Sequence, residues 1–298
     1  MSYADFDFHL HSQWSYDAAA PVEEYFRLAR ERGVRTIALT EHNNMDSFSE
    51  VREVAGRYPE IGYLAGVEFT VRSEFGSTDM VCLNLPPEPE GELRDVLLRY
   101  RRWQREYGAA ISAALLDGGF PYDEAARAAL LRRYRPEKAL AVQGVTHVQG
   151  QLEVEYLVRE KHYFASKEAY CDFRSRYSTP PYPEASSVLP AVKRAGGVVL
   201  IAHPAGYFRR NDLKRMDAMR EVLGFDGMEC AHPSIPAELT PFYRDYCLKH
   251  KLLSTAGSDS HSVAGQRYRF APESELARHI GVPRWREEIL ERVTVYHG

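Results

Sequence analysis

Long apolar runs, paired cysteines and surplus positive charge are all missing from this 298-residue chain, and each absence closes a class of function. No stretch approaches the about 18 consecutive apolar residues of a membrane-spanning helix. Four cysteines (Cys82, Cys171, Cys230, Cys247) show no CxxC spacing, so they read as reduced thiols rather than a disulfide frame or a zinc knuckle. The formal net charge is -4 and the pI about 6.3, which gives no electrostatic footing for long nucleic acid or an acidic membrane. MSYADFDFHL has no basic stretch followed by an apolar one, so no signal peptide is expected and the cytoplasm is the default compartment. Internal repeats, low-complexity tracts and a GxSxG nucleophile motif are absent too. Nothing in the composition bears on oligomeric state.

What is present is an alternation of short apolar runs and amphipathic stretches. DFDFHL, VRTIALT, IGYLAGVEFT, DMVCLNL, VVLIAHP, FDGMECA and LLSTAGS read as seven strands, with helices between most of them. That order argues for an α/β fold, a parallel sheet or barrel. The first helix, PVEEYFRLARERG, carries Pro21 near its first turn and Gly33 at its end. From 90 to 184 the alternation breaks. PPEPEGE opens a long helical pattern, shorter ones follow, and YSTPPYPEA closes the segment. It is expected to be a mostly helical insertion lying over the functional face, with 1–89 and 185–298 forming the barrel. The tail RWREEILERVTVYHG is expected to pack as a closing helix.

Histidines and carboxylates recur at the strand ends. His9 and His11 stand at i and i+2 on one strand, so they share a face and can grip one ion together. Asp259 and His261 repeat that spacing in SDSH. Glu68 follows an apolar run in GVEF, where an unpaired carboxylate is costly to bury, and its two oxygens make it the natural bridge between ions. His42 closes ALTEH, with Glu41 placed either to orient a ligand or to form a surface ion pair. His203 ends the fifth strand before Pro204. Asp17 reads equally as a ligand or as a helix cap. A lone histidine is more often structural, but this company points to a multinuclear centre of Zn, Mn or Fe.

The pieces HLHSQWSYD, ALTEHNN, GVEFT, AGGVVLIAHP and GSDSHS resemble, in order and spacing, the PHP (polymerase and histidinol phosphatase) superfamily of metal-dependent phosphoesterases. The resemblance covers about 1–86 and 185–270 and implies a distorted seven-stranded (β/α) barrel holding two or three divalent ions. It implies that His9, His11, Glu68 and Asp259 bind the first, Glu68 and His203 the second, and Asp17, His42 and His261 the third. One departure stands out: the family's histidine on the strand after the bridging glutamate is missing from DMVCLNL. Cys82 stands near that position, either as a thiolate ligand or as a buried apolar residue. His147, in the insertion, resembles a substrate-facing histidine of the family, although Val-Thr rather than Arg-Pro precedes it.

The expected reaction is hydrolysis of a phosphomonoester or small phosphodiester, such as a nucleotide or sugar phosphate, by metal-bound hydroxide. His147 is the candidate catalytic residue, and His147, Arg209, Arg210 and His232 are candidate substrate contacts. Trp103, Tyr107, Tyr163 and Tyr170 are placed either to stack on a base or sugar or to form the core of a helical cap. An amidohydrolase acting on a C–N bond and a silent metal-binding regulatory module are the rival readings.

Overall fold

The computed structural model describes residues 4–262 and 283–298, so part of the expected second barrel segment, 263–282, lies outside the described residues. Seven strands form one sheet in sequence order, β1 (Phe6–Leu10), β2 (Thr36–Leu39), β3 (Gly62–Ser73), β4 (Gly76–Leu83), β5 (Val198–Ile201), β6 (Gly227–Ala231) and β7 (Leu253–Ala256). β1 and β7 approach each other beyond their ends, where Leu10 bridges Ser260 and Asp259 N–H donates to His9 O at 2.9 Å. The result is the expected distorted barrel. Among the described residues no helix is long and apolar enough to cross a membrane.

The strands are not all parallel. β3 and β4 form an antiparallel hairpin, and β4 also runs antiparallel to β5. The remaining pairs are parallel. The reason is chain length: a parallel return needs a crossover of about a dozen residues or more, and only the turn between Ser73 and Gly76 joins β3 to β4.

Helices clothe the barrel by burying one stripe each. In α1 (Val22–Arg32) Val22, Tyr25, Phe26 and Ala29 are buried at i, i+3, i+4 and i+7, and Gly33 takes the left-handed φ of 72° that stops the helix. α2 is Phe48–Ala55. The 90–184 segment holds α3 (Gly91–Asp117), α4 (Glu124–Leu131), α5 (Glu137–Gln143), α6 (Gly150–Val154), a π-helical stretch (Glu155–Glu160) and α7 (Lys167–Arg174). α5, α6 and the π-helical stretch have no counterpart in the sequence-based assignment. Ile111, Leu115, Leu130, Leu131 and Leu157 form a separate core here. Leu93, Val96 and Tyr100, on the first half of α3, pack instead into the barrel core, so that helix serves both bodies.

After β4 the barrel continues through α8 (Ala185–Arg194), α9 (Leu213–Leu223) and α10 (Leu239–His250). The tail forms α11 (Pro283–Leu290), which buries Trp285 and Ile289. Beyond the expected closing helix, Tyr296 then exchanges two backbone hydrogen bonds with Tyr63 on β3.

Candidate metal centre

Six parallel strands end on one face, where the first half of the reversed β4 also lies. His9 lies on β1 and His11 just past it. His42 follows β2, Glu68 lies within β3, His203 follows β5, and Asp259 and His261 follow β7. With Asp17 from the loop after β1, all eight expected ligands come together. Backbone strain marks the turns: His203 and Asp259 have φ of 28° and 50°, a region non-glycine residues seldom visit. Gly257 permits the approach of β7 to β1, since a Cβ there would lie 2.2 Å from His9 Cβ.

His9 Nε2 lies 3.0 Å from His11 Nε2, 3.3 Å from Glu68 Oε1 and 3.4 Å from Asp259 Oδ1. His11 Nε2 lies 3.3 Å from Glu68 Oε2 and 3.2 Å from Asp259 Oδ1. On one side of this group, His203 Nε2 is 3.2 Å from Glu68 Oε1. On another, His42 Nε2 is 3.3 Å from His261 Nε2 and 3.4 Å from Asp17 Oδ2. Donor atoms about 2.1 Å from one ion sit about 3.0 Å apart at octahedral corners and about 3.4 Å apart at tetrahedral ones. The observed spacings fall in that window.

Hydrogen bonding fixes which ring nitrogens aim inward. His9 Nδ1–H donates to Glu229 Oε1 at 3.0 Å, and His261 Nδ1–H to the Asp259 carbonyl at 2.8 Å. Ser15 Oγ donates to Glu41 at 2.6 Å, so it accepts from His11 Nδ1–H at 3.1 Å. In all three rings the bare Nε2 points at the cluster, the arrangement in which outer partners orient metal-ligating imidazoles. Glu41 is fully buried and also accepts from Ser12 N–H and Oγ, so the surface ion pair considered for it is excluded. Asp17 does not cap α1, which has no side-chain cap.

Among the described residues three buried carboxylate oxygens at the cluster have no hydrogen-bond partner: Glu68 Oε2, Asp17 Oδ1 and Asp259 Oδ1. Glu68 Oε2 is within 2.9 Å of His42 Nδ1 and 3.3 Å of His11 Nε2 without hydrogen-bond geometry to either. Orphaned buried acceptors are costly unless a cation completes them. The charges agree. Burial would lower His203, yet the hydrogen bond and charge of Glu68, with Asp259 and Asp79, lift it to about 9. Burial would raise Glu68, yet His9 and His42 hold it well below the usual carboxylate range. The donor set fits divalent cations.

Two members of the site escaped sequence reading. Asp79, in the first half of the reversed β4, brings Oδ2 to 3.8 Å from His203 Nε2, forming a group with Glu68 and His203. Glu229, on β6, holds His9 through Oε1 and accepts His203 N–H at Oε2, 2.7 Å away. Cys82, paired with Val67 across the hairpin, lies fully buried in the barrel core, and burial pushes its thiol well up. It is the apolar residue of the two alternatives, and the thiolate reading is corrected by strand direction.

The substrate candidates divide. His147 is buried beside Tyr16, Trp103 and Tyr107, with ring centroids 4.1, 5.6 and 5.2 Å away, and Tyr16 in turn lies 5.4 Å from His42. Gly108 lets that strand of chain lie against α3, because a Cβ there would meet His147 N at 2.8 Å. Burial lowers His147 to about 4, and its Nδ1 faces the Gln104 carbonyl at 3.4 Å. Trp103 and Tyr107 thus border the site, whereas Tyr163 and Tyr170 belong to the core of the insertion. Gln104, Tyr134 and Arg135 hydrogen-bond to the carbonyls of His42, Tyr16 and Trp14, docking the 90–184 segment on the face that carries the cluster.

His232 sits inside rather than at the rim, 5.4 Å from the His203 ring and with Nε2 3.5 Å from Asp259 Oδ2. Ser234 N–H donates to its Nδ1 at 3.0 Å, so the neutral ring carries its proton on Nε2, facing the cluster. Arg209 and Arg210 are exposed, and Arg210 pairs with Glu238 at 2.8 Å. Neither guanidinium forms a hydrogen bond or ion pair with the cluster, so the structure does not bring them to it.

The PHP domain family matches residues 7–178 of this chain. A 5'-3' exoribonuclease of Haemophilus influenzae is 24% identical over 265 residues, covering 87% of this chain and 91% of that protein. A solved structure of an amidohydrolase from Chromobacterium violaceum, with bound sulfate and no metal, superposes with a TM-score of 0.72 at 20% identity, over 99% of this chain and 98% of the other. A candidate metal-dependent phosphoesterase from Bifidobacterium adolescentis does so with a TM-score of 0.71 at 25% identity, over 97% and 96%.

Proposed function

This chain belongs to the PHP domain family, and from that premise we propose that it is a metal-dependent hydrolase of phosphate esters, holding two or three divalent ions. The observation that carries the reading is Glu68: fully buried, ringed by His9, His11, His42 and His203, and with Oε2 left without a hydrogen bond. His9, His11, Glu68 and Asp259 would hold one ion, Glu68 and His203 a second, and Asp17, His42 and His261 a third. Bound divalent ions supply a water whose pKa falls from 15.7 towards about 7 and neutralise phosphate oxygens.

The chain's own groups do the rest. His232 offers Nε2–H as a hydrogen-bond donor to a substrate oxygen. His147 is neutral and fits an acceptor from a substrate hydroxyl better than a resident acid. Tyr16, His147, Trp103 and Tyr107 form a ring wall, with Tyr182 stacked on Trp103 at 4.2 Å. That wall suits a nucleobase, since stacking on aromatic rings is tolerant of sequence. Together with the exoribonuclease relative, it favours a nucleotide or a 5'-terminal phosphodiester over a sugar phosphate.

The test is turnover by metal-loaded protein of aryl phosphate, nucleoside monophosphates and a short 5'-phosphorylated RNA, with Glu68→Gln and His203→Ala alongside. Phosphate or nucleotide release that both variants abolish supports the proposal. Cleavage of an amide panel alone would favour the C–N hydrolase. Metal-replete protein that cleaves nothing would favour the silent module.

A further inference from the structure

We propose that Asp79 is a cation ligand, and that with Glu68 and His203 it makes a site of two carboxylates and one imidazole, whose affinity for Mn²⁺ relative to Zn²⁺ is higher than that of the His9, His11, Glu68 and Asp259 group. This deepens the reading above and rests on it only in taking the cluster to bind metal.

Strand direction brings Asp79 in. β4 lies antiparallel between β3 and β5, so Asp79, its fourth residue, sits opposite Thr70, and its carbonyl accepts from Ala202 N–H at 3.0 Å, immediately before His203. Donor atoms of Glu68, Asp79 and His203 all lie within 4.8 Å of one another. Asp79 is about one-fifth exposed, and among the described residues its recorded ion-pair partner is His203, 3.8 Å away.

Its carboxylate is held rigidly by neutral donors. Thr70 Oγ1 donates to Oδ1 and the Tyr207 hydroxyl to Oδ2, each at 2.6 Å. The Tyr207 hydroxyl also receives Asp79 N–H at 3.3 Å, so its single proton is committed to the carboxylate. Thr70 is braced in turn, by Asn43 Oδ1 on its N–H and by the Tyr100 hydroxyl on its carbonyl. Each carboxylate oxygen keeps a second lone pair. A carboxylate oriented by hydroxyls, with its remaining lone pairs beside an imidazole and the Glu68 carboxylate, is how ligating carboxylates are supported.

The donor count sets the preference. Carboxylate oxygens suit Mg²⁺ and Mn²⁺, whereas imidazole suits Zn²⁺ and Fe²⁺. The group of His9, His11, Glu68 and Asp259 has two imidazoles, and the Asp79 group has one. The two sides of Glu68 therefore differ in hardness, with the Asp79 side the harder.

The experiment strips the full chain with chelator, reloads it with equimolar Mn²⁺ and Zn²⁺, and counts both metals by elemental analysis after gel filtration, with Mn²⁺ paramagnetic resonance alongside. Wild type, Asp79→Asn and Asp79→His are compared, with matching circular dichroism required of each. The expected result is that Asp79→Asn loses one metal equivalent while keeping the others, and Asp79→His lowers the Mn:Zn ratio tenfold or more. An unchanged metal count in Asp79→Asn would overturn the assignment of Asp79 and leave the metal centre standing. No metal in wild type would overturn both.

Discussion

Replacing Glu229 with Gln tests whether the centre depends on orientation of its imidazoles. The carboxylate accepts two hydrogen bonds, one from the His203 backbone N–H at 2.7 Å, which cannot reverse, and one from His9 Nδ1–H at 3.0 Å. An amide accepts through its oxygen only. If that oxygen keeps the shorter bond, the NH₂ group faces His9 Nδ1 and drives the ring proton to Nε2, the atom aimed at Glu68 and Asp259. Loss of such an outer partner commonly costs 10- to 100-fold in metal affinity, about 1.4–2.8 kcal/mol. Calorimetric titration of chelator-stripped protein with Zn²⁺ should show that weakening at the tightest site. His232→Ala should leave every metal equivalent in place and lower turnover instead, because His232 is read as a substrate contact. Glu229→Gln binding Zn²⁺ as tightly as wild type would refute the reasoning. Equal metal loss in His232→Ala would mean that His9, Glu229 and His232, which also lie within coordinating distance of one another, form a cation site themselves.

His147→Gln should flatten the acid limb of stability. The folded chain holds His147 neutral down to about 4, whereas the unfolded chain takes up the proton near 6.5. That contribution is present above pH 6.5 and lost as pH falls to 4, for a total of about 3 kcal/mol. Urea unfolding of stripped protein at pH 7.5 and 4.5 would show it as a smaller drop in the variant, and equal drops would count against it. Cys82→Ala should cost about 1 kcal/mol in urea unfolding, as a small cavity in the barrel core does, with metal content unchanged; a lost metal equivalent would restore the thiolate reading. Removing metal with chelator should lower the melting temperature, since ligand at 1,000 times its Kd stabilises by about 4 kcal/mol, and Mn²⁺ or Zn²⁺ should restore it. A melt indifferent to chelator and metal would speak against a bound centre.

The sequence disclosed the parts of the site that follow a rule of period or position and concealed those that depend on strand direction. His9 with His11 and Asp259 with His261 were legible because i and i+2 share a strand face, and His42 and His203 because each ends an apolar run. Asp79 begins a run rather than ending one. In a search for ligands at strand C-termini it is invisible, and Cys82, near the other end of the same strand, takes its place. Yet the needed signal was present: the few residues from Arg72 to Ser77 cannot make a parallel crossover, so DMVCLNL had to run backwards and present its first residue to the centre. Glu229 was hidden differently. It lies mid-strand in GMECA, where a carboxylate offers no spacing signal and only its burial against His9 and the His203 backbone explains it. Pattern thus placed the imidazoles, while the carboxylates that orient them or share their ion required knowledge of which neighbours the barrel puts beside them.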